Sequence, residues 1–418
     1  MKSSIFSLMM LLASSALLVV TSAVAADYTL GIFGNANMDD TIDADDIAYV
    51  EGIIGGMNEA TKLADANYDG KIDEEDIAQI ELIIVGEEKE LTIFDSANRI
   101  VTVNKPVERV VLLSTYSAEA LRILGGQNTV VGVYSYIKQD EVYFPEFSKL
   151  PDVGYPADYE AILSLDPDLA IVFTAIETSV DEYAQNLPHV VVASLPLWKP
   201  ETFLEELTKT SYILGDHNEA NHYIDDFHDK YINLIKERTE ELSEEDRLNV
   251  YVGGNRNSDL YSSLAAKSGA QQMIDLCGGR NILADIDASG VDIDPEVVME
   301  KNPDIIIRYI KSEDAGYQYD DPSKIKALWE DTMNRPELTN VNAVKNNRVY
   351  IIDSGLNYGL DYPVAMTYWA KLFHPDLFED LDPKTIHQEY VTEFQGLDFD
   401  ISEHGIFVYH PDLYPGGR

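Results

Sequence analysis

Oxygen-bearing side chains recur at fixed spacing in two stretches of this 418-residue chain. The first, from Asn35 to Asp46, reads NANMDDTIDADD; the second, from Asp65 to Asp76, reads DANYDGKIDEED. In the second copy Asp65, Asn67 and Asp69 stand at positions 1, 3 and 5 of a twelve-residue loop, Gly70 at the bend, Asp73 at 9 and Asp76 at 12. The chemistry this spacing suits is capture of calcium. Alternate side chains turn inward, a glycine permits the sharp bend, and position 7 offers its backbone carbonyl, so Lys71 stands there without harm. The first copy supplies Asn35, Asn37, Asp39, Thr41, Asp43 and Asp46 at the corresponding positions. Asn35 at position 1 removes one ligand charge, and Asp40 occupies the bend where glycine is usual, straining the turn.

Each loop runs into an apolar segment of helical period, IAYVEGIIGGM and IAQIELIIVGE, in which Ile47, Val50 and Ile54, and likewise Ile77, Ile80 and Ile84, share a face. The duplicated pattern over about residues 30–88 resembles the dockerin module, which has the EF-hand loop without its entering helix. That resemblance implies a small all-α, EF-hand-like module and a cohesin domain on another surface protein as its partner.

Composition narrows the function classes. Thirty Lys and Arg face 74 Asp and Glu, a net charge of -44, which repels nucleic-acid phosphates and anionic lipids. Lys2, the apolar run Ile5–Val20 and the small residues ending Ala23-Val24-Ala25-Ala26 predict a secretory signal over residues 1–26, with an uncleaved membrane anchor as the rival reading. The one cysteine, Cys277, excludes a disulfide framework and is expected to be a small buried apolar residue. His217, His222 and His228 have the wrong spacing for one helical face and are expected at the surface. No nucleophile elbow, zinc-protease helix, phosphate loop or dinucleotide turn is present, so no catalytic residue is nominated.

From Leu91 onward apolar strands alternate with helices, the pattern of α/β lobes with largely parallel sheets. A hairpin turning at Asp95–Asn98 is followed by strands at Val110–Leu113, Val130–Val133, Leu169–Phe173 and Val190–Ala193. A second series includes Asn249–Val252, Ile305–Ile307 and Val349–Ile352. Between them the segment Glu219–Leu242 has neither proline nor glycine and predicts one long helix. The expected organisation is a module at 27–88 and a two-lobed domain at 91–418: first lobe about 91–200, linking helix about 219–242, second lobe about 248–418. Within it, DYEAILSLDPDLAIV (158–172) and DPEVVMEKNPDIIIR (294–308) align without a gap, each placing a glutamate, Glu160 or Glu296, near a helix start and a Pro-Asp pair before a strand.

These segments, with the RVV strand, VGYPADYEAILSLDPD and AMTYWAKLFHPDLF, resemble the periplasmic binding-protein family of ferric-siderophore, haem and vitamin B12 importers. The resemblance covers about residues 91–410. It implies two Rossmann-like lobes joined by a single helix, ligand held in the cleft between them, and delivery to an ABC importer permease whose arginine pockets would receive Glu160 and Glu296. Because open parallel sheets bind ligands beyond the carboxyl ends of their strands, the nominated ligand residues are Ser114, Thr115, Tyr116, Tyr134, Phe173 and Thr174 in the first lobe, and Asn255, Arg256, Arg308, Tyr309, Asn357 and Tyr358 in the second. Arg256 and Arg308 are expected to hold an anionic iron chelate through forked donors. Two alternatives stand beside this reading: a dockerin-bearing secreted glycoside hydrolase, which needs convergent carboxylates in a cleft, and a surface adhesion or scaffold protein without a closed small-molecule cleft.

Overall fold

The computed structural model describes residues 28–173, 179–215 and 217–418; the expected signal segment and Thr174 lie outside the described residues. Each acidic loop ends in a helix, α1 (Ala44–Ile54) and α2 (Glu74–Val85). Asp43 and Asp73 cap these helices, and Asp46 and Asp76 bond back to the backbone N–H of the capping residue, so both helices open with a capping box. The carboxylates at loop positions 9 and 12 therefore start the helices. The hairpin follows as β1 (Glu90–Phe94) and β2 (Ile100–Asn104), turned by the Asp95 carboxylate, which accepts from the backbone N–H of Ala97 and Arg99.

The first lobe is built from β3 (Val110–Leu112), α3 (Thr115–Ile123), β4 (Val130–Val133), α4 (Ser135–Gln139), α5 (Tyr159–Ser164), β5 (Leu169–Val172), α6 (Val180–Asn186) and β6 (Val191–Ser194). Its four strands are all parallel, in the order β4-β3-β5-β6. Covered on both faces, they read as unbroken apolar runs. A helical passage follows: α7 (Phe203–Leu214), α8 (Asn218–Tyr223), a π-helical stretch Ile224–Asp229, and α9 (Lys230–Glu240). Residues 218–240 form one continuous helical segment, as the absence of proline and glycine predicts, with the wider π turns at its middle. His217 and His222 are half-buried rather than fully at the surface, and His228 is buried on this segment against the Phe203 ring, 5.5 Å between centroids.

The second lobe holds a seven-stranded sheet. Its elements are β7 (Leu248–Gly253), β8 (Ser262–Leu264), α10 (Gly269–Leu276), β9 (Gly279–Asn281), β10 (Gly290–Asp292), α11 (Pro295–Lys301), β11 (Ile305–Ile310), α12 (Ser323–Met333), α13 (Asn342–Lys345), β12 (Val349–Asp353), α14 (Tyr362–Phe373), α15 (Pro383–Glu389) and β13 (Val408–Tyr409). Strands β9, β7, β11 and β12 are parallel; β8, β10 and β13 add antiparallel edges. α14 is almost wholly buried, and Cys277 lies beneath it with its thiol against the Met366 carbonyl at 3.6 Å.

The internal echo has a physical basis. In each lobe a short helix, α5 or α11, feeds a central parallel strand through a Pro-Asp pair. The Asp168 carboxylate accepts from the backbone N–H of Glu108 and Arg109 just before β3, and the Asp304 carboxylate accepts from the N–H of Asn249 in β7. The same residue pair thus clamps the start of the neighbouring strand in both lobes.

The N-terminal module is not a separate bead. An isolated bridge joins Ile32 to Ile93 of β1, and the N–H of Phe33 bonds the Thr92 carbonyl at 2.9 Å. Tyr212 of α7 accepts through its hydroxyl from the N–H of Ile42, inside the first loop. Leu30, Ile32, Val50, Ile80 and Ile83 of the module pack in one continuous core with Leu91, Val110, Leu112 and Ile213. The boundary that composition draws near residue 90 is no boundary in the core, because the hairpin and α7 bury the module's apolar face on the first lobe.

Candidate functional site

The carboxyl ends of β3, β4 and β5 face those of β11 and β12 across a cleft, and two cavities lie there. The outer one, about 400 Å³, is lined by Leu113, Tyr134, Tyr136, Tyr155, Phe173 and Tyr183 of the first lobe, with Glu313 reaching in from the second. Tyr134, Tyr136 and Tyr155 form a triangle of rings 5.1–5.4 Å apart. Tyr136 and Tyr155 are each 49% exposed, large aromatic surface left open to solvent. A second aromatic row, Tyr116–Phe173–Trp198–Tyr358, carries on from this bowl with centroids 5.8–6.2 Å apart and crosses into the second lobe.

Gly359 makes that crossing close. Its φ is +91°, its N–H donates to the Trp198 carbonyl at 3.0 Å, and a Cβ there would stand 2.5 Å from the Tyr116 ring. Only glycine fits both the left-handed backbone and the ring.

The inner cavity, about 230 Å³, lies between α3 and the segments that follow β11 and β12. Thr115, Tyr116, Glu119, Asp140 and Tyr143 line it from the first lobe; Ser312, Tyr317, Asp353 and Asp361 from the second. Tyr143 and Tyr317 stack across the lobes, 4.2 Å between centroids and 15° between planes. Burial pushes the carboxyls of Glu119 and Asp353 up to about 7, against the lowering hydrogen bonds from the Tyr390 hydroxyl and the Gly355 N–H respectively. Asp140 is raised by burial too, and Asp361 is raised strongly by burial and by the neighbouring charges of Glu119 and Asp353. Burial likewise pushes the Tyr116 phenol up.

Several nominated residues meet at these cavities. Thr115 and Tyr116 line the inner one, Tyr134 and Phe173 the outer one, and Tyr358 ends the aromatic row. Ser114 is the N-cap of α3, buried and bonded to Ser117.

Others do not meet there. Arg308 is a correction: its guanidinium lies under the sheet, donating to the Asp331 carboxylate at 2.6 Å, the Thr332 hydroxyl and the carbonyls of Ser258 and Leu328. Tyr309 points to the opposite face, buried in the core against Trp369. The reason is length: β11 runs on to Ile310, three residues beyond its expected end, so the loop that meets the cleft begins later. Arg256 sits in an exposed turn and pairs with Asp292 at 2.6 Å, and neither it nor Asn255 lines either cavity. Asn357 is fully buried, its amide donating to the Asp353 and Ser354 carbonyls.

Sequence reading missed Glu119, Asp140, Tyr143, Ser312, Tyr317, Asp353 and Asp361. The same strand-end rule finds Ser312 once β11 is given its full length, and Asp353 directly follows the expected end of β12 at Ile352; Glu119 and Asp361 carried no local signal.

Glu160 and Glu296 stand at equivalent positions, the second residues of α5 and α11, both exposed and without an ion-pair partner among the described residues. In the acidic module, Asp65 accepts from the N–H of Asp69 and Gly70, Asn67 from Asp69, Asp69 from Lys71, and Asp76 from Asn67 and Asp73. Gly70 takes the bend at φ +92°. These bonds fold the loop back on itself, and its carboxylates and amide oxygen are of the types that bind a hard cation. In the first loop the Asn35 amide oxygen accepts from the Asp39 N–H at 3.1 Å, as Asp65 does from Asp69 in the second, while its amide hydrogens donate to the carbonyls of Leu30 and Asp39, each at 2.7 Å. Among the described residues no three His, Cys, Asp or Glu side chains gather closely enough to hold a metal ion.

The comparisons with known proteins concern the lobes. A cobalamin-binding protein of Halobacterium salinarum is 22% identical over 225 residues, 52% of this chain and 58% of that protein. The high-affinity heme uptake system protein IsdE of Staphylococcus aureus is 22% identical over 250 residues, 54% of this chain and 82% of that one. Among solved structures, the TroA-like periplasmic binding protein FepB of Veillonella parvula superposes with a TM-score of 0.62 at 21% identity, over 76% of this chain and 99% of that one. The molybdate-binding MolA of Haemophilus influenzae gives 0.58 at 17% identity, over 74% and 98%. These structural likenesses are likenesses of fold. No helix among the described residues is long and apolar enough to cross a membrane. The family described as periplasmic binding protein matches residues 110–356, more than half of the chain and most of both lobes. The chain belongs to the periplasmic binding protein family.

Proposed function

We propose that this protein captures an iron complex, haem or a corrinoid in the cleft between its lobes, outside the cytoplasm, and delivers it to the permease of an ABC importer. The observation that carries this reading is the bowl of Tyr134, Tyr136 and Tyr155, whose open rings offer flat apolar area to a macrocycle or an aryl chelate at low entropic cost. The helical segment 218–240 serves as the rigid connector, and Glu160 and Glu296 present one charge on each lobe to the permease. In the module, the Asp65–Asp76 loop holds calcium through Asp65, Asn67, Asp69, Asp76 and the Lys71 carbonyl, and the module binds a cohesin-type domain.

The carboxylates of the inner cavity meet the condition set for a hydrolase, but the family is one of binding proteins, and the open aromatic bowl suits retention rather than turnover. The test is titration of the purified chain with haem, a corrinoid and a ferric aryl chelate, read by quenching of Trp198 beside the bowl. One of the three is expected to bind saturably, and Tyr155→Ala to weaken it at least tenfold, in line with the cost of removing a central aromatic anchor. If all three fail to bind, the reading is lost.

A further inference from the structure

The inner cavity is acidic in a way that capture of an anionic chelate does not explain. Glu119, Asp140, Asp353 and Asp361 face it from both lobes, and none of the four makes an ion pair among the described residues. The nearest base, Arg122 on the same helix as Glu119, is committed elsewhere. It donates to the Glu146 carboxylate at 2.6 and 3.0 Å and to the Tyr143 carbonyl, with its face against the Phe144 and Phe147 rings. Among the described residues no Lys or Arg lines the cavity.

One group in it lacks the partner that its burial demands. Asp361 is only 7% exposed, and its Oδ1 has no hydrogen-bond donor among the described residues. Buried polar atoms in folded chains nearly always have a hydrogen-bond partner, so one is expected to arrive from outside the chain. The aromatic lining adds to the case, since aromatic rings attract positive charge, and the Arg122 guanidinium already lies over the Tyr143 ring, 5.5 Å from its centroid. A bare metal ion is a poor occupant, because among the described residues no three acids gather closely enough to share one. Charge spread over a cavity of about 230 Å³ calls for a cation of some size with several N–H donors.

We infer that the inner cavity binds an organic cation, an ammonium or guanidinium-type group, with Asp361 and Glu119 as its principal acceptors and the Tyr143–Tyr317 stack as one wall. This rests on the capture reading above and deepens it: the ligand, or the arm of it that enters deepest, is positively charged. Burial holds the protons on Glu119, Asp353 and Asp361 above the usual carboxylate range, and an incoming positive charge favours their ionised forms.

The test uses the full chain and matched probes: methylguanidinium and putrescine as cations, N-methylurea and 1,4-butanediol as neutral counterparts, and glutarate as the anion. Binding is followed by thermal shift and calorimetry. At least one cation is expected to bind, with neutral and anionic counterparts at least tenfold weaker. Asp361→Asn, nearly isosteric, and independently Glu119→Gln should each weaken the cation about tenfold, the value of one charge-assisted hydrogen bond. The surface variant Glu245→Gln should leave it unchanged, which separates the cavity from general attraction to an acidic protein. The inference is overturned if no cation binds, if glutarate or the neutral probes bind as well, or if both cavity variants retain cation affinity within twofold. Saturable binding of haem, a corrinoid or a ferric chelate that depends on Tyr155, without any cation binding, removes this inference and keeps the capture reading. Failure of every probe removes both.

Discussion

Asp353 caps the turn after β12 by accepting from the Gly355 N–H, and it lies almost wholly out of water. Burial raises its carboxyl from the usual 3.8 to about 7. The folded state therefore holds this proton more tightly than the unfolded chain does. The stability it contributes is fully present below about 3.8 and is lost as pH rises through about 7. Asparagine caps as well as aspartate and carries no charge. Asp353→Asn is thus expected to melt with wild type at pH 4 and above it at pH 8, by several degrees, since each tenfold change in proton affinity is worth roughly 1.4 kcal/mol. Melting curves at the two pH values check this, and equal gaps at both would refute the assignment. The same scale shows where sequence reading stopped. Consecutive strand residues point to opposite faces, so Arg308 and Tyr309 could not both have entered the cleft. Which face met what depended on α12 and α14, and those neighbours are invisible to local pattern.

Among the elements, the helix starts were the most legible. Asp43 and Asp73 cap α1 and α2 through spacing that is equally the spacing of cation ligands, so one pattern serves both purposes. Asp73→Ala is expected to cost about 1 kcal/mol of stability from the lost cap, and additionally to abolish any gain on adding calcium, measured by melting with and without the ion. A calcium-dependent gain that survives the substitution would place the ion elsewhere. The parallel strands were legible because burial on both faces leaves unbroken runs such as LAIV in β5. Strand ends were less so: β11 continues through Arg308, whose charge reads as a stop yet is satisfied by Asp331 beneath the sheet. The union of module and first lobe was not legible at all, because it is made by Tyr212 and Ile213 of α7, more than a hundred residues from the loops they touch. Excising residues 28–88 is accordingly expected to lower the melting temperature of the remainder sharply or render it insoluble, whereas an independent bead would leave it unchanged.

For the whole molecule, the repeat of α5–β5 and α11–β11 sets Glu160 and Glu296 at matching places on two lobes. Replacing both with lysine is expected to abolish uptake in cells lacking the wild-type copy while ligand affinity and melting temperature stay unchanged, since like charges would face a basic docking surface. Normal uptake by the double variant would exclude the docking role; lost ligand binding would move both residues into the cleft.

The module's burial against α7 has a mechanical consequence. A grip on the module is a grip on the first lobe, with the hairpin and α7 as the weld. Whatever the module holds on to fixes the direction in which the cleft opens, and a change in the angle between the lobes would swing the second lobe alone. An anchored copy would then act as an oriented jaw, with one half mounted and the other free, rather than as a vessel turning on a string.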